Sequence, residues 1–233
     1  METLQRTANR GSVSTGYDID NSLKLEADNS ETLYKNNVDG NRRTFTSSLW
    51  VKLSELSNNS LIYHGVVSNA TRLFTNSNEI YIDLADNTST FYRWRTNALF
   101  RDTAAWYHFV WRVDTTDSTA ANRMRFYING EEYTDWQESA TVPQNFDTLA
   151  NFAHSSTSDD VQFSYKEASL YSNLYLAEVH HVDGQTLAPT EFGEFDDDSG
   201  IWKPKEYTGT YGTNGFYLDF EDSSNLGNDA NGG

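Results

Sequence analysis

The sequence predicts an all-β protein, a sandwich or barrel of antiparallel strands. Three observations predict it. Short stretches that alternate apolar and polar residues recur at intervals of about 8–12 residues, with turn residues between them. Aromatic residues make up 14% of the chain (Tyr 14, Phe 13, Trp 6), whereas Met numbers only 2; large rings suit a pleated, half-buried surface. Residues 106–133 hold a strand, a polar loop and a second strand that ends in Asn129-Gly130. That dipeptide is the strongest short hairpin signal, because both central residues of a type I′ turn need positive φ.

The elements follow in chain order. Residues 1–21 are polar and rich in Ser, Thr, Asn and Gly; they read as an extended arm, either frayed or gripping a neighbouring subunit. Strand character begins where Leu23 and Leu25 alternate with Lys24 and Glu26. In the next strand Phe45, Ser47, Leu49, Val51 and Leu53 share one face and Trp50 takes the other. Residues 61–63 and 71–74 are short strands, and Ile80, Ile82 and Leu84 then alternate with Tyr81 and Asp83. Phe91-Tyr92-Arg93-Trp94-Arg95 places Tyr92 and Trp94 on one face and the arginines on the other. The Trp106 strand follows, then one in which Met124, Phe126 and Ile128 share a face. Residues 135–160 read mostly as loop, with Trp136 just after the hairpin. Residues 161–165, 173–182 and 216–220 read as strands, and 189–193 as a helix-like turn. Residues 226–233 are small and polar, which predicts a mobile tail. With no repeat and no internal linker, residues 22–225 form one domain between arm and tail.

Composition excludes several function classes. Seventeen basic residues face 34 acidic ones, a net charge of −17. Such a surface repels phosphate backbones and anionic lipid, so neither nucleic-acid binding nor membrane insertion is expected. The chain has no cysteine, which rules out disulfides, thiolate catalysis and Cys-ligated zinc and points to assembly in a reducing cytoplasm. The first ten residues lack the apolar core of a signal peptide, and no run approaches the ~18 apolar residues of a membrane span.

The order of motifs resembles the concanavalin A-like, laminin-G-like jelly roll. Phe45-Thr-Ser-Ser-Leu-Trp50-Val-Lys52 resembles that fold's early core strand. Trp106-Tyr-His-Phe-Val-Trp-Arg-Val-Asp114 and Arg125-Phe-Tyr-Ile-Asn-Gly130 resemble its signature strand and the hairpin after it. Leu176-Ala-Glu-Val-His-His-Val-Asp-Gly-Gln-Thr-Leu187-Ala-Pro-Thr-Glu-Phe192 resembles the closing strand and short helical turn. The segments beginning at Gly16, Asn41, Leu99 and Gly209 are similar to those of laminin-G-like virion proteins of marine bacteriophages. That likeness implies a two-sheet jelly-roll sandwich on the virion surface, as a tail-fibre or capsid-decoration subunit. Its expected partners are other virion proteins and host-surface glycans, in a homo-oligomer expected to be a trimer and assembled in the host cytoplasm. Relatives often continue past the Gly-Asn-Asp segment, so the ending of this chain there implies a compact stand-alone module. A lectin devoted to host recognition is the alternative, and a glycoside hydrolase the third reading.

Each candidate site has a plain alternative. Glycosidase chemistry needs two carboxylates about 5–10 Å apart. Glu79 and Asp83 share a face but stand four residues, about 13 Å, apart, whereas Asp219 and Glu221 have i, i+2 spacing on the last strand. The latter pair reads as a solvated face, so no catalytic residue is assigned and no enzyme is expected. The resemblance implies a calcium ion at the sandwich rim, for which the acidic loops Asp196-Asp197-Asp198 and Asp159-Asp160 are candidates; solvated loops are the plainer reading. His180 and His181 are adjacent on a strand, point to opposite faces and cannot share an ion, and His108 reads as structural. Trp136, Tyr92 and Trp94 are the candidate glycan platform, since sugars stack their apolar face on aromatic rings. For Tyr92 and Trp94 the alternative is packing.

Overall fold

The computed structural model describes residues 17, 19–56, 58–66, 69–154, 160–166 and 170–231. The strands are β1 (Leu23–Leu25), β2 (Leu33–Lys35), β3 (Thr44–Leu53), β4 (Ser60–Val66), β5 (Asn69–Asn76) and β6 (Glu79–Ala85). Then come β7 (Phe91–Thr96), β8 (Tyr107–Asp114), β9 (Met124–Ile128), β10 (Glu131–Glu132), β11 (Trp136–Glu138) and β12 (Val161–Phe163). The last are β13 (Tyr165–Lys166), β14 (Leu170–Tyr171), β15 (Leu174–Asp183), β16 (Gly193–Phe195), β17 (Trp202–Pro204) and β18 (Phe216–Leu218). Three single-turn 3-10 helices are the only helical elements among the described residues, and none is long and apolar enough to cross a membrane.

Two antiparallel seven-stranded sheets face each other. The front sheet runs β1-β15-β3-β8-β9-β10, with β18 also paired to β15; the back sheet runs β11-β7-β6-β5-β4-β12-β2. This is the jelly-roll sandwich that the alternation of the strands implies. The core fills the gap between the sheets, and its members are the inward residues of that alternation. Phe45, Leu49, Val51, Phe109, Trp111 and Phe126 come from the front sheet, and Leu73, Ile80, Ile82 and Leu84 from the back, all fully buried. Phe45 meets Trp111 edge-on at 5.2 Å between ring centroids, and Phe109 stacks on Phe126 at 5.4 Å.

The outer face of the front sheet is also covered. After β15 the chain turns through Pro189–Glu191 and folds the β16–β17 hairpin over it. Trp202 seals this cover. Its indole lies over His108, which in turn stacks on Trp50 at 4.8 Å. Two glycines make room for it: a Cβ at Gly130, where φ is +85°, would sit 2.4 Å from the indole, and one at Gly193 would sit 2.5 Å from it. Only glycine meets both the positive φ and the close approach at position 130. The outer face of the back sheet, by contrast, carries arginines that reach solvent.

The C-terminal region departs from the expected reading in three ways. The strand expected over 216–220 ends at Leu218, and Phe220 turns the chain with φ +60°. Asp219 and Glu221 therefore share no strand face. Asp219 Oδ1 instead accepts the Glu221 N–H at 3.0 Å in a local turn. Residues 226–231, expected to be mobile, are tied to β18. The Ala230 N–H donates to the Tyr217 carbonyl, Asp229 Oδ1 accepts the Tyr217 N–H, and Asn231 Nδ2 reaches the Gly215 carbonyl.

Candidate functional site

The arginine-bearing outer face of the back sheet is built by β5, β6 and β7. In β6, Ile80, Ile82 and Leu84 face the core, so Glu79, Tyr81 and Asp83 face outward. Register aligns their neighbours. Arg72, Asp83 and Arg93 form one row across the three strands, and Phe74, Tyr81 and Arg95 the next, which Glu138 of β11 extends.

The rows interlock through charge. Asp83 takes a two-pronged contact from Arg93, with Nε at 2.7 Å and Nη2 at 2.8 Å, and a third bond from Arg72 Nε at 2.9 Å. Glu79 takes Arg95 through Nε at 2.7 Å and Nη2 at 2.6 Å. The guanidiniums lie over rings: Arg72 is 4.6 Å from the Phe74 centroid, Arg93 5.1 Å from Phe91 and Arg95 5.3 Å from Tyr81. Such stacking suits the weakly hydrated, planar guanidinium. The hydrogen bonds that Arg93 donates to Asp83 raise the Arg93 pKa, and burial raises that of the Tyr81 hydroxyl.

The layering of this face matters more than its list of charges. The carboxylates lie beneath and the guanidiniums above: the Asp83 side chain is 3% exposed, those of Arg93 and Arg95 27% and 33%. A molecule arriving from solvent meets arginine edges and the Phe91 ring, which is 53% exposed. Asp83 and Glu79 are engaged by guanidiniums, and Glu138 stands exposed beside Arg95 at the edge of the row.

The expected aromatic platform is arranged otherwise. Trp94 lies in the core, 6% exposed, and Tyr92 packs against that core and meets Phe146 edge-on at 5.2 Å. Trp94 offers no stacking surface and Tyr92 only part of one, because the face opposite the arginines is the inward one. Trp136 lies not in a loop but on the short edge strand β11. It is half-buried, with Tyr133 edge-on at 4.9 Å and Phe126 at 6.3 Å. The residues that reach solvent in their place are Phe91, Arg93 and Arg95. No motif marks them; the alternation of Phe91-Tyr92-Arg93-Trp94-Arg95 separates the two faces, and the apolar face of neighbouring β6 decides which is inside.

The acidic loops do not fit a calcium ion. Asp196 Oδ1 accepts the backbone N–H groups of Asp198 and Ser199 and the Ser199 hydroxyl, while Oδ2 faces Lys203 Nζ at 3.3 Å. These bonds hold the Asp196 carboxyl down at about 2. A cation there would have to displace an ammonium. Asp197 and Asp198 are in the same hairpin turn. Asp160 is buried with both oxygens engaged, Oδ2 by the Asn37 N–H at 2.7 Å and Oδ1 by the His154 N–H at 3.1 Å; Asp159 lies outside the described residues. Among the described residues no three His, Cys, Asp or Glu side chains converge as a metal site would require.

The histidines are framework. Trp202 Nε1–H donates to His108 Nδ1 at 2.8 Å, and His108 Nε2 meets Ser48 Oγ at 2.8 Å. Indole can only donate, so His108 is neutral with its proton on Nε2. Burial holds its pKa down to about 3. His180 and His181 do point to opposite faces. His180 bonds Tyr211 outside the front sheet, and His181 bonds Ser47 and Asn151 inside it.

Two antiparallel sheets packed face to face around one core define a jelly-roll β-sandwich. Residues 25–178, more than half of the chain, match the family model described as the concanavalin A-like lectin/glucanases superfamily, and the chain belongs to that family. Comparison with curated protein sequences finds no match. Among solved structures, the binding domain of botulinum neurotoxin serotype D is 14% identical with a TM-score of 0.49, over 77% of this chain and 42% of that one. The receptor-binding domain of botulinum neurotoxin C/D mosaic serotype is 14% identical with a TM-score of 0.44, over 64% of this chain and 35% of that one. This chain therefore spans less than half the length of either, and the likeness is one of fold alone.

Proposed function

We propose that this lectin-fold domain is a non-enzymatic binding module on the surface of a phage particle, as a tail-fibre or capsid-decoration subunit. It binds neighbouring virion proteins and host-surface glycans, and assembles as a homotrimer in the host bacterial cytoplasm. The sequence motifs shared with laminin-G-like virion proteins support the setting. The observation that carries the binding role is the layered back-sheet face, with Asp83 and Glu79 sealed beneath Arg72, Arg93 and Arg95. Glycoside cleavage requires one carboxyl free to give a proton and another free to attack or to activate water. Asp83 and Glu79 are each neutralised by a guanidinium.

Two measurements test the proposal. Cross-linking mass spectrometry of the purified particle is expected to join this chain to capsid or tail proteins; its absence from the particle overturns the setting. Prolonged incubation of the purified protein with host polysaccharide is expected to leave the chain-length distribution unchanged, and shortened products overturn the non-enzymatic reading.

A further inference from the structure

We infer that the outer face of β7 binds carboxylated sugars, meaning uronate- or sialate-type residues of a glycan, through Arg93 and Arg95 with Phe91 as the stacking ring. The inference rests on the glycan-binding part of the proposed function and names its ligand class.

The argument begins with unused donors. A guanidinium carries five N–H groups in a planar fork. Arg93 commits Nε and Nη2 to Asp83, and Arg95 commits Nε and Nη2 to Glu79. The Nη1 group of each has no partner among the described residues, and both side chains reach solvent. Because Arg93 and Arg95 are i, i+2 on one strand, their stems rise about 6.6–6.8 Å apart on the same face. The carboxylates behind them fix the planes of both forks before any ligand arrives, which lowers the ordering cost of binding.

The second strand of the argument is the ring. Phe91 is one of the few large apolar side chains left exposed, and it stands beside Arg93 on the same face. A pyranose carrying a carboxylate has an apolar C–H face to lay on a ring and an anionic group to meet a fork. A neutral hexose uses only the first of these features, and a sulfated one carries its anion on a rotatable ester oxygen, whose ordering costs more on binding than a carboxylate fixed to the ring.

The third strand is charge. A chain of net charge −17 repels polyanions at a distance, and Glu138 stands in register beside Arg95. At an ionic strength of about 0.15 M the Debye length is ~8 Å, so the distant charges are screened while contacts at ~3 Å are not. Binding is accordingly short-range, and weakest at low salt where the global repulsion is felt.

The test immobilises polygalacturonate, dextran and dextran sulfate and measures wild-type binding by biolayer interferometry at about 0.15 M salt. The expected result is binding to polygalacturonate at least about tenfold tighter than to dextran or dextran sulfate. Arg93→Gln with Arg95→Gln is expected to weaken it about tenfold or more. Because loss of those arginines leaves Asp83 and Glu79 unpaired, Phe91→Ala serves as the variant that disturbs no buried group, and it is expected to weaken binding several-fold with an unchanged melting temperature. Equal or tighter binding to either dextran, or an unchanged affinity in Phe91→Ala, overturns the inference. Binding to dextran alone overturns it while leaving the glycan-binding role standing; failure to bind any of these or a panel of host polysaccharides overturns both.

Discussion

At the level of single residues, the cover of the front sheet depends on donors and on room. His108 Nδ1 receives its hydrogen bond from Trp202 Nε1. Trp202→Phe keeps a ring in place but removes that donor; it is expected to cost about 1–3 kcal/mol in urea unfolding, because a buried acceptor is left unpaired. Gly130→Ala is expected to cost at least as much, since the added methyl meets the Trp202 indole at 2.4 Å in a backbone that is already left-handed. The same measurement checks it, and loss of the Trp202 fluorescence environment accompanies it. Residue chemistry also explains which histidine readings were legible. Adjacent strand residues must face opposite ways, so His180 and His181 separate on sequence alone. That His64 lies wholly buried with neither ring nitrogen hydrogen-bonded is visible only in the fold.

At the level of elements, one residue of β15 sets the parity of the strand. Leu174 and Leu176 face the core, but so does Val179, because a bulge between Ala177 and His180 inserts one extra residue. Glu178 takes φ +45° there and turns outward. Its Oε2 accepts the hydroxyls of Tyr17 at 2.7 Å and Tyr217 at 2.8 Å, which pins the end of the N-terminal arm to the sheet. Strict alternation from Leu174 would have sent Glu178 and His180 into the core; the sequence shows the strand but not the bulge. In β5 to β7 the alternation is unbroken, and there the two faces were legible as soon as Arg93 and Arg95 were separated from Tyr92 and Trp94. Which of the two sets reaches solvent is settled by the packing of β7 beside β6. Asp83→Asn is expected to destabilise the protein by on the order of 2 kcal/mol in chemical denaturation, less than a fully buried pair would lose, because both guanidiniums it serves reach solvent.

For the molecule as a whole, the buried imidazoles govern the response to acid. Burial holds His64 and His108 down to about 3, holds His181 well below the ordinary value of 6.5, and lowers His180. Unfolded, these groups titrate near 6.5. Between those values the unfolded chain binds more protons than the folded one, so stability is full above about pH 6.5 and falls as pH drops toward 3. Each deeply depressed histidine contributes on the order of a few kcal/mol to that fall. Asp183, raised by burial, offsets a small part. The urea midpoint is expected to decline steeply from pH 6.5 to pH 3.5. His64→Phe, which removes one titrating group from beside Phe45 and His181, is expected to flatten that limb.

The sequence by itself determined the all-β class, most of the strands, the Asn129-Gly130 turn and the resemblance to the laminin-G-like jelly roll, because period-2 alternation and turn chemistry are local properties. Tertiary structure alone decided which face of β7 is buried, where β15 shifts its parity, and that the chain after Pro189 covers the outer face of the front sheet. Those outcomes depend on which strands lie side by side and what packs over them. The arginines that bear on function belong to this second group: their positions are written in the sequence, but their exposure above Asp83 and Glu79 arises only when β5, β6 and β7 are brought into register.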